Sequence, residues 1–373
     1  MWNLKTLSNG LKIYQFIDSI DTANQITITV HIRTPIDPVE LSHLVEHLIT
    51  SDNHTMNVLH QSAVTRTDGT FYTWICTEDK FDTVMDKICQ IYRGDHWQTP
   101  SFQDLIDEEC DIIEMEHAQT SCETRLRRIV EFDIESNREF TEELIDLEFD
   151  VRKYSKEKIL QFHKENYIPS KTSWVIRGTI DFDKFKNKLI NNFVSDQDIW
   201  DLSITKQPVI QTGITQIVKH NGSTFIDISF PMKVHVGHLL VKGFSDYLEK
   251  FLRYQLKFSY HVNTSIVDYS IDQILVHITF GTLDKFISDV ITAVKQFLKE
   301  FFIEEASFNY LKKVALSNNQ NYLNNYSNLW KFVVVNGYGL IDKLDNNLQN
   351  YTYVDFLTED KIEDINVYIL KKY

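Results

Sequence analysis

The sequence predicts an α+β protein of two similar domains, each an antiparallel-rich sheet packed with helices. Three observations support this fold class. The 373 residues are enough for two ordinary domains with separate cores. Strand and helix patterns follow one another without strict βαβ alternation, and the order of elements in the first half recurs in the second. The polar segment 194–207 ends at Pro208, so we place the domains at residues 1–195 and 208–373.

The first domain is predicted to begin with strands. A turn signal at residues 7–10 precedes two alternating apolar runs, 11–17 and 26–32, which we interpret as a hairpin of paired strands. This hairpin leads into a helix that starts near Val39. Beyond the helix, the patterns predict a short helical or irregular piece and a β-branched, aromatic strand, at residues 57–64 and 70–75.

The remaining elements follow from the periodicity of apolar residues. In the first domain this periodicity predicts helices at residues 81–92, 102–128, 156–167 and 182–193, with a strand at 174–176. In the second domain it predicts strands at residues 215–218, 224–230, 260–269 and 273–280. Helices are predicted there at residues 238–255, 283–302, 304–325 and 358–371.

Composition narrows the class of function. Hydrophobic residues at 43% and charged residues at 24% are average for a soluble globular protein. The net charge of −15 argues against a nucleic-acid surface and weakly favours positively charged peptides as ligands. The four cysteines form no CxxC pair, which predicts reduced thiols in a cytosol. Without a long apolar run or a secretory pattern at the N-terminus, we expect a cytoplasmic protein with no membrane insertion.

A histidine pair that encloses a glutamate is the strongest chemical motif. His43, Glu46 and His47 form an HxxEH sequence, and in a helix the two histidines stand one turn apart on one face. Neutral imidazoles suit zinc, and a carboxylate near a zinc-bound water can act as a general base. A catalytic zinc site takes three protein ligands, so the motif predicts a third ligand elsewhere.

The acidic segment 102–128 is the most suitable source of this ligand. Within it, Glu109 and Glu116 are two helical turns apart and therefore lie on one face, whereas Glu108 and Glu114 point elsewhere. The alternative is a solvated helix face, which is the commoner origin of such a charge run.

These residues together resemble the pitrilysin family of zinc peptidases, which includes insulin-degrading enzyme and mitochondrial processing peptidase. The match consists of HxxEH, a glutamate 69 residues after the second histidine of the motif, and another glutamate seven residues before that one. The resemblance implies that His43, His47 and Glu116 bind zinc and that Glu46 is the general base. It further implies that Glu109 orients Glu116 or a neighbouring helix.

A second part of the resemblance lies in the later half of the chain. Leu252 and Arg253 are followed by Tyr260, which matches the family's arginine and tyrosine seven residues apart. The resemblance implies that Arg253 and Tyr260 contact the scissile carbonyl. A guanidinium and a phenol are strong hydrogen-bond donors and can stabilise an oxyanion.

The resemblance implies a zinc-dependent endopeptidase that cleaves peptides or small unfolded polypeptides in an enclosed chamber. Processing of leader, bacteriocin or signal peptides would suit such an enzyme. The family's large members close like a clamshell, and two domains resemble half of that shell. We therefore expect a homodimer, or a heterodimer with a related subunit, in which Arg253 and Tyr260 reach the zinc of the partner chain.

Two other classes of function stay open. The first is a catalytically silent, peptide-binding subunit of a heterodimeric peptidase, although such subunits usually lose their metal residues and this chain keeps them. The second is a structural zinc domain, which would need a fourth protein ligand at suitable spacing.

Overall fold

In a computed structural model of the protein, the chain divides into two compact units. Unit 1 comprises Met1–Gln119 and Phe149–Lys206, and unit 2 comprises Thr120–Glu148 and Gln207–Tyr373. The structure describes residues 2–8, 10–17, 25–34, 39–51, 58–66, 69–94, 97, 101–121, 124, 126, 130, 150–193, 215–220, 224–233, 246–259, 262–268, 273–300, 304–324, 350, 352, 353, 355 and 365–372.

The described part of unit 1 contains a six-stranded sheet. Its strands are β1 (Trp2–Thr6), β2 (Lys12–Phe16), β3 (Gln25–Ile32), β4 (His60–Arg66), β5 (Gly69–Thr77) and β6 (Thr172–Arg177). The spatial order is β1-β2-β6-β3-β5-β4. Only the β2–β6 pair is parallel among the described pairs, so the sheet is antiparallel-rich as the sequence predicts.

The predicted hairpin of residues 11–17 and 26–32 is wrong. Both runs are strands, but β6 lies between them, parallel to β2 and antiparallel to β3. The alternation of apolar residues sets which face of a strand is buried and does not select its neighbour. The hairpin partner of β2 is β1, which precedes it across the turn at residues 7–10.

The segment predicted as short helical or irregular is a strand at the edge of the described sheet. β4 pairs with β5 in an antiparallel register, with Thr65 opposite Thr70. Gly69 begins β5 with a φ of +139°, and a Cβ atom there would lie 2.3 Å from the carbonyl oxygen of Ile32. Only glycine meets both conditions without displacing the backbone of β3.

Helices and the unit 1 sheet share one hydrophobic core. The helices are α1 (Val39–Thr50), α2 (Phe81–Arg93), α3 (Phe102–Gln119), α4 (Lys156–Asn166) and α5 (Phe182–Phe193). In α1 the buried apolar residues recur at helical spacing: Leu41, Leu44, Val45, Leu48 and Ile49. The helix predicted over residues 102–128 ends at Gln119 in the structure.

The described part of unit 2 contains a five-stranded sheet with the same connectivity. Its strands are β7 (Thr215–His220), β8 (Phe225–Lys233), β9 (Val262–Asp268), β10 (Gln273–Gly281) and β11 (Asn366–Lys372), in the order β7-β11-β8-β10-β9. This order repeats β2-β6-β3-β5-β4, and β7 and β11 are parallel like β2 and β6. The prediction of two similar α+β folds is therefore confirmed.

The helices of unit 2 partly match the prediction. α6 (Ile287–Glu300) and α7 (Glu305–Asn324) occupy two of the predicted ranges. The predicted helix at 358–371 is wrong over its described part, because β11 occupies Asn366–Lys372. Residues 246–255 are helical, and the last six, Lys250–Gln255, wind as a π-helix. No helix in the described ranges is both long and apolar enough to cross a membrane.

Candidate active site

The HxxEH motif lies on α1, whose apolar face is buried in the core of unit 1. His43 and His47 stand one turn apart on the opposite side, with ring centroids 4.7 Å apart and nearly perpendicular planes. α1 packs against α3, α4, β4 and β5, among other elements, so several neighbours can add residues to the motif. The helix thereby fixes the spacing of the two imidazoles before any third group is added.

α3 brings a carboxylate to both histidines. Glu116 Oε2 lies 3.7 Å from His43 Nε2 and 3.6 Å from His47 Nε2. The ligand atoms of the three residues all lie within 4.8 Å of one another. The structure therefore brings together the three residues that the sequence predicts as metal ligands, although they come from helices far apart in the chain.

These three residues fit zinc. Tetrahedral zinc binds nitrogen and oxygen at about 2.0–2.2 Å, which separates two ligand atoms by roughly 3.3–3.6 Å. The distances from Glu116 to the two imidazoles lie at the upper end of this range or just above it. Three protein ligands that leave a fourth position open are typical of catalytic zinc, whereas structural sites are closed by four.

Glu109 fixes the orientation of one of the histidines. Its Oε2 lies 3.0 Å from His47 Nδ1, which leaves His47 Nε2 on the side of Glu116. Burial lowers the pKa of His47, but the hydrogen bond to Glu109 and the charges of Glu46 and Glu116 outweigh it and raise the net pKa. The family resemblance implied that Glu109 orients Glu116 or a neighbouring helix, and in the structure Glu109 contacts His47, a candidate metal ligand on the neighbouring helix α1.

Glu46 is a buried carboxyl group beside the three candidate ligands. Its exposed fraction is 7%. Burial raises its pKa from 4.5 to about 7, although hydrogen bonds from the hydroxyl and the backbone N–H of Thr65 oppose the rise. Its Oε2 has no hydrogen-bond partner among the described residues. A general base works best with a pKa near the operating pH, and among the described residues nothing competes for the lone pairs of the buried Oε2.

Part of the acidic run on α3 is engaged in ion pairs. Arg152 Nε lies 2.6 Å from Glu114 Oε1, and Arg152 also pairs with Asp111. Arg152 belongs to a short 3₁₀ helix, Val151–Lys153, that precedes α4. No sequence pattern predicts this contact, because its partners are about forty residues apart in the chain.

Comparisons with known proteins place the fold. No protein-family model and no curated protein matches the sequence. A protease from Helicobacter pylori is 14% identical with a TM-score of 0.72, over 100% of this chain and 99% of that chain. The chain has the fold of this protease. At such identity the likeness establishes the fold alone, so any argument about chemistry depends on the site residues.

Two further solved structures share this protease fold. The periplasmic protease PqqL from Escherichia coli is 14% identical with a TM-score of 0.63. The match covers all of this chain but 47% of PqqL, so the chain spans about half the length of that protein. An M16-like peptidase from Alicyclobacillus acidocaldarius is also 14% identical, with a TM-score of 0.60, over 100% of this chain and 98% of that chain.

The arginine and tyrosine predicted to contact substrate belong to the second unit of this protease fold. Arg253 lies in the π-helix, where its Nη1 is 3.0 Å from Glu249 Oε1 and its guanidinium carbon is 5.0 Å from the centre of the Tyr254 ring. Tyr260 lies outside the described residues. The role assigned to this pair stays a prediction.

Proposed function

We propose that the protein is a zinc-dependent endopeptidase of the pitrilysin family. The observation that carries the proposal is the convergence of His43, His47 and Glu116 beside Glu46. A metal-binding set alone would suit a structural site, but a buried carboxyl group with one unpartnered oxygen among the described residues is the feature that hydrolysis needs. The fold shared with solved peptidases supports the same conclusion.

Each residue has a chemical role in this proposal. When bound, zinc acts as a Lewis acid that acidifies a water ligand and polarises the peptide carbonyl. Glu46 accepts a proton from the attacking water through its carboxylate and can pass it to the leaving amine. Glu109 holds His47 with Nε2 turned toward the metal position. Arg253 and Tyr260 donate hydrogen bonds to the developing oxyanion.

The edge strand suits an extended peptide as substrate. β4 has one strand neighbour in the described sheet, and α1 packs against it. A strand at a sheet edge can pair with an extended chain through main-chain hydrogen bonds, which requires an unfolded substrate. Leader, bacteriocin or signal peptides and general peptide fragments all meet this requirement.

A Glu46→Gln variant tests the proposed activity. We expect it to retain zinc and to lose cleavage of a peptide library, measured by metal analysis and mass spectrometry. Glu108→Gln is the matched control, because Glu108 is an exposed glutamate on α3 and should leave both properties unchanged. If the wild-type protein binds zinc and peptides but cleaves none, the silent-subunit alternative is favoured instead.

The active form is proposed to be a dimer in which Arg253 and Tyr260 act on the partner's zinc. A homodimer predicts that inactive Glu46→Gln and Arg253→Ala variants complement each other when they are mixed. With equal amounts, half of the dimers are mixed and each has one intact site, so about a quarter of wild-type activity returns. Full activity from a demonstrable monomer would contradict the dimer proposal.

A further inference from the structure

Thr65 on the edge strand is hydrogen-bonded to the buried carboxyl group of the site. Both its hydroxyl and its backbone N–H donate to Glu46. Glu46 Oε2 has no partner among the described residues, so the bonds from Thr65 reach Oε1. The two oxygens of Glu46 therefore differ: one accepts hydrogen bonds from β4, and the other is buried without a partner among the described residues.

The Thr65 hydroxyl is itself held by a neighbour. Its Oγ1 lies 3.2 Å from Oγ1 of Thr70, the residue opposite it on β5. Thr70 is hydrogen-bonded in turn to Tyr167, whose hydroxyl lies 2.6 Å from that of Tyr72. Burial raises the pKa of both tyrosines, so both keep their protons.

The direction of donation in this row of hydroxyls follows from proton counting. In its ionised form Glu46 only accepts, so in that form the Thr65 hydroxyl must give its one proton to Glu46. Thr65 then accepts from Thr70, which accepts from Tyr167, which accepts from Tyr72. Every hydroxyl therefore donates one hydrogen bond, and all of these bonds point toward Glu46. Hydrogen bonds in such a chain polarise one another.

We propose that Thr65 is a positioning residue that fixes the rotamer of Glu46 beside the candidate metal ligands. Thr70 and Tyr167 support it by holding its hydroxyl. This inference rests on the proposed peptidase function, but its geometric part concerns the protein's own side chains and can be tested without zinc.

The kinetic test compares Thr65→Val with Thr65→Ser. Loss of a hydrogen bond to a charged group predicts a fall in kcat of about tenfold to a hundredfold for Thr65→Val, with KM and zinc content nearly unchanged. Thr65→Ser keeps the hydroxyl and should restore kcat to within about threefold of wild type. Thr29→Val is the matched control, because Thr29 and Thr73 form a similar hydroxyl pair at 3.2 Å in the same sheet.

The structural test uses crystal structures of the zinc-free variants. We expect the Glu46 carboxyl group, left with only the backbone N–H of residue 65, to shift in Thr65→Val and to keep its position in Thr65→Ser. An unmoved Glu46 in Thr65→Val, or an unchanged kcat, would overturn the inference. If the wild-type protein proves inactive, the proposed peptidase function is wrong. The crystal structures still show whether Thr65 positions Glu46. If Thr65→Val does not fold, Thr70→Val provides the same two measurements.

Discussion

Replacement of Glu46 by glutamine should make the zinc-free protein more stable at neutral pH. Glu46 is 7% exposed, and burial raises its pKa from 4.5 to about 7. Below pH 4.5 the carboxyl group is protonated in both the folded and the unfolded state and adds no pH dependence. Between pH 4.5 and 7 the unfolded chain ionises while the folded carboxyl group stays protonated, so stability falls as the pH rises.

The size of this effect follows from the two pKa values. Each pH unit between them is worth about 1.4 kcal/mol, which gives a loss of about 3 kcal/mol for the wild type above about pH 7. A glutamine side chain does not ionise, so Glu46→Gln avoids this loss. Urea unfolding of both proteins at about pH 5 and about pH 8, on either side of the shifted pKa, measures it.

The expected result is a stability difference that grows by about 2–3 kcal/mol in favour of Glu46→Gln between these two pH values. Glu108→Gln controls for the loss of a negative charge, because Glu108 is exposed on the neighbouring helix. A difference that stays constant between the two pH values would refute the reasoning that burial sets the pKa of Glu46.

Three further predictions concern the metal and the backbone. Glu109→Ala should weaken zinc binding by about tenfold to a hundredfold, measured by competition with a chelator, because His47 loses the partner that orients it. Zinc at about 1,000 times its Kd should raise the free energy of unfolding by about 4 kcal/mol. An unfolding free energy that does not change when zinc is added would contradict the proposed metal site. In urea unfolding, Gly69→Ala should cost more than about 1 kcal/mol, whereas the control Gly281→Ala should cost less. The Cβ of that control would meet the Phe225 ring at an ordinary 3.5 Å.

The candidate metal ligands could be predicted from the sequence because their geometry is largely local. One helical turn separates His43 from His47, and two turns separate Glu109 from Glu116, so helix periodicity places each pair on one face. The sequence did not show that α1 packs against α3, which the structure does. Thr65 could not be found in this way, because its contact with Glu46 depends on where β4 lies beside α1.

The wrong strand predictions have physical causes. β4 is an edge strand with exposed residues such as His60 and Ser62, so its apolar alternation is weak. The prediction for β11 was wrong for the opposite reason, because Val367, Tyr368 and Ile369 are all buried. A short apolar run that is buried on both faces has no period of two and cannot be distinguished from a buried helix by pattern alone.

The repeated strand order shows which position of unit 1 corresponds to Arg253 in unit 2. The sequence around Arg253 does not show this correspondence. In unit 1, the helix between β3 and β4 carries His43, Glu46 and His47. In unit 2, the corresponding segment between β8 and β9 contains the π-helix with Arg253. The same topological position therefore holds the two candidate metal-binding histidines and the proposed general base in one unit and a cation in the other. Substitutions at Arg253 should accordingly lower kcat without releasing zinc, whereas substitutions at His43 should do both.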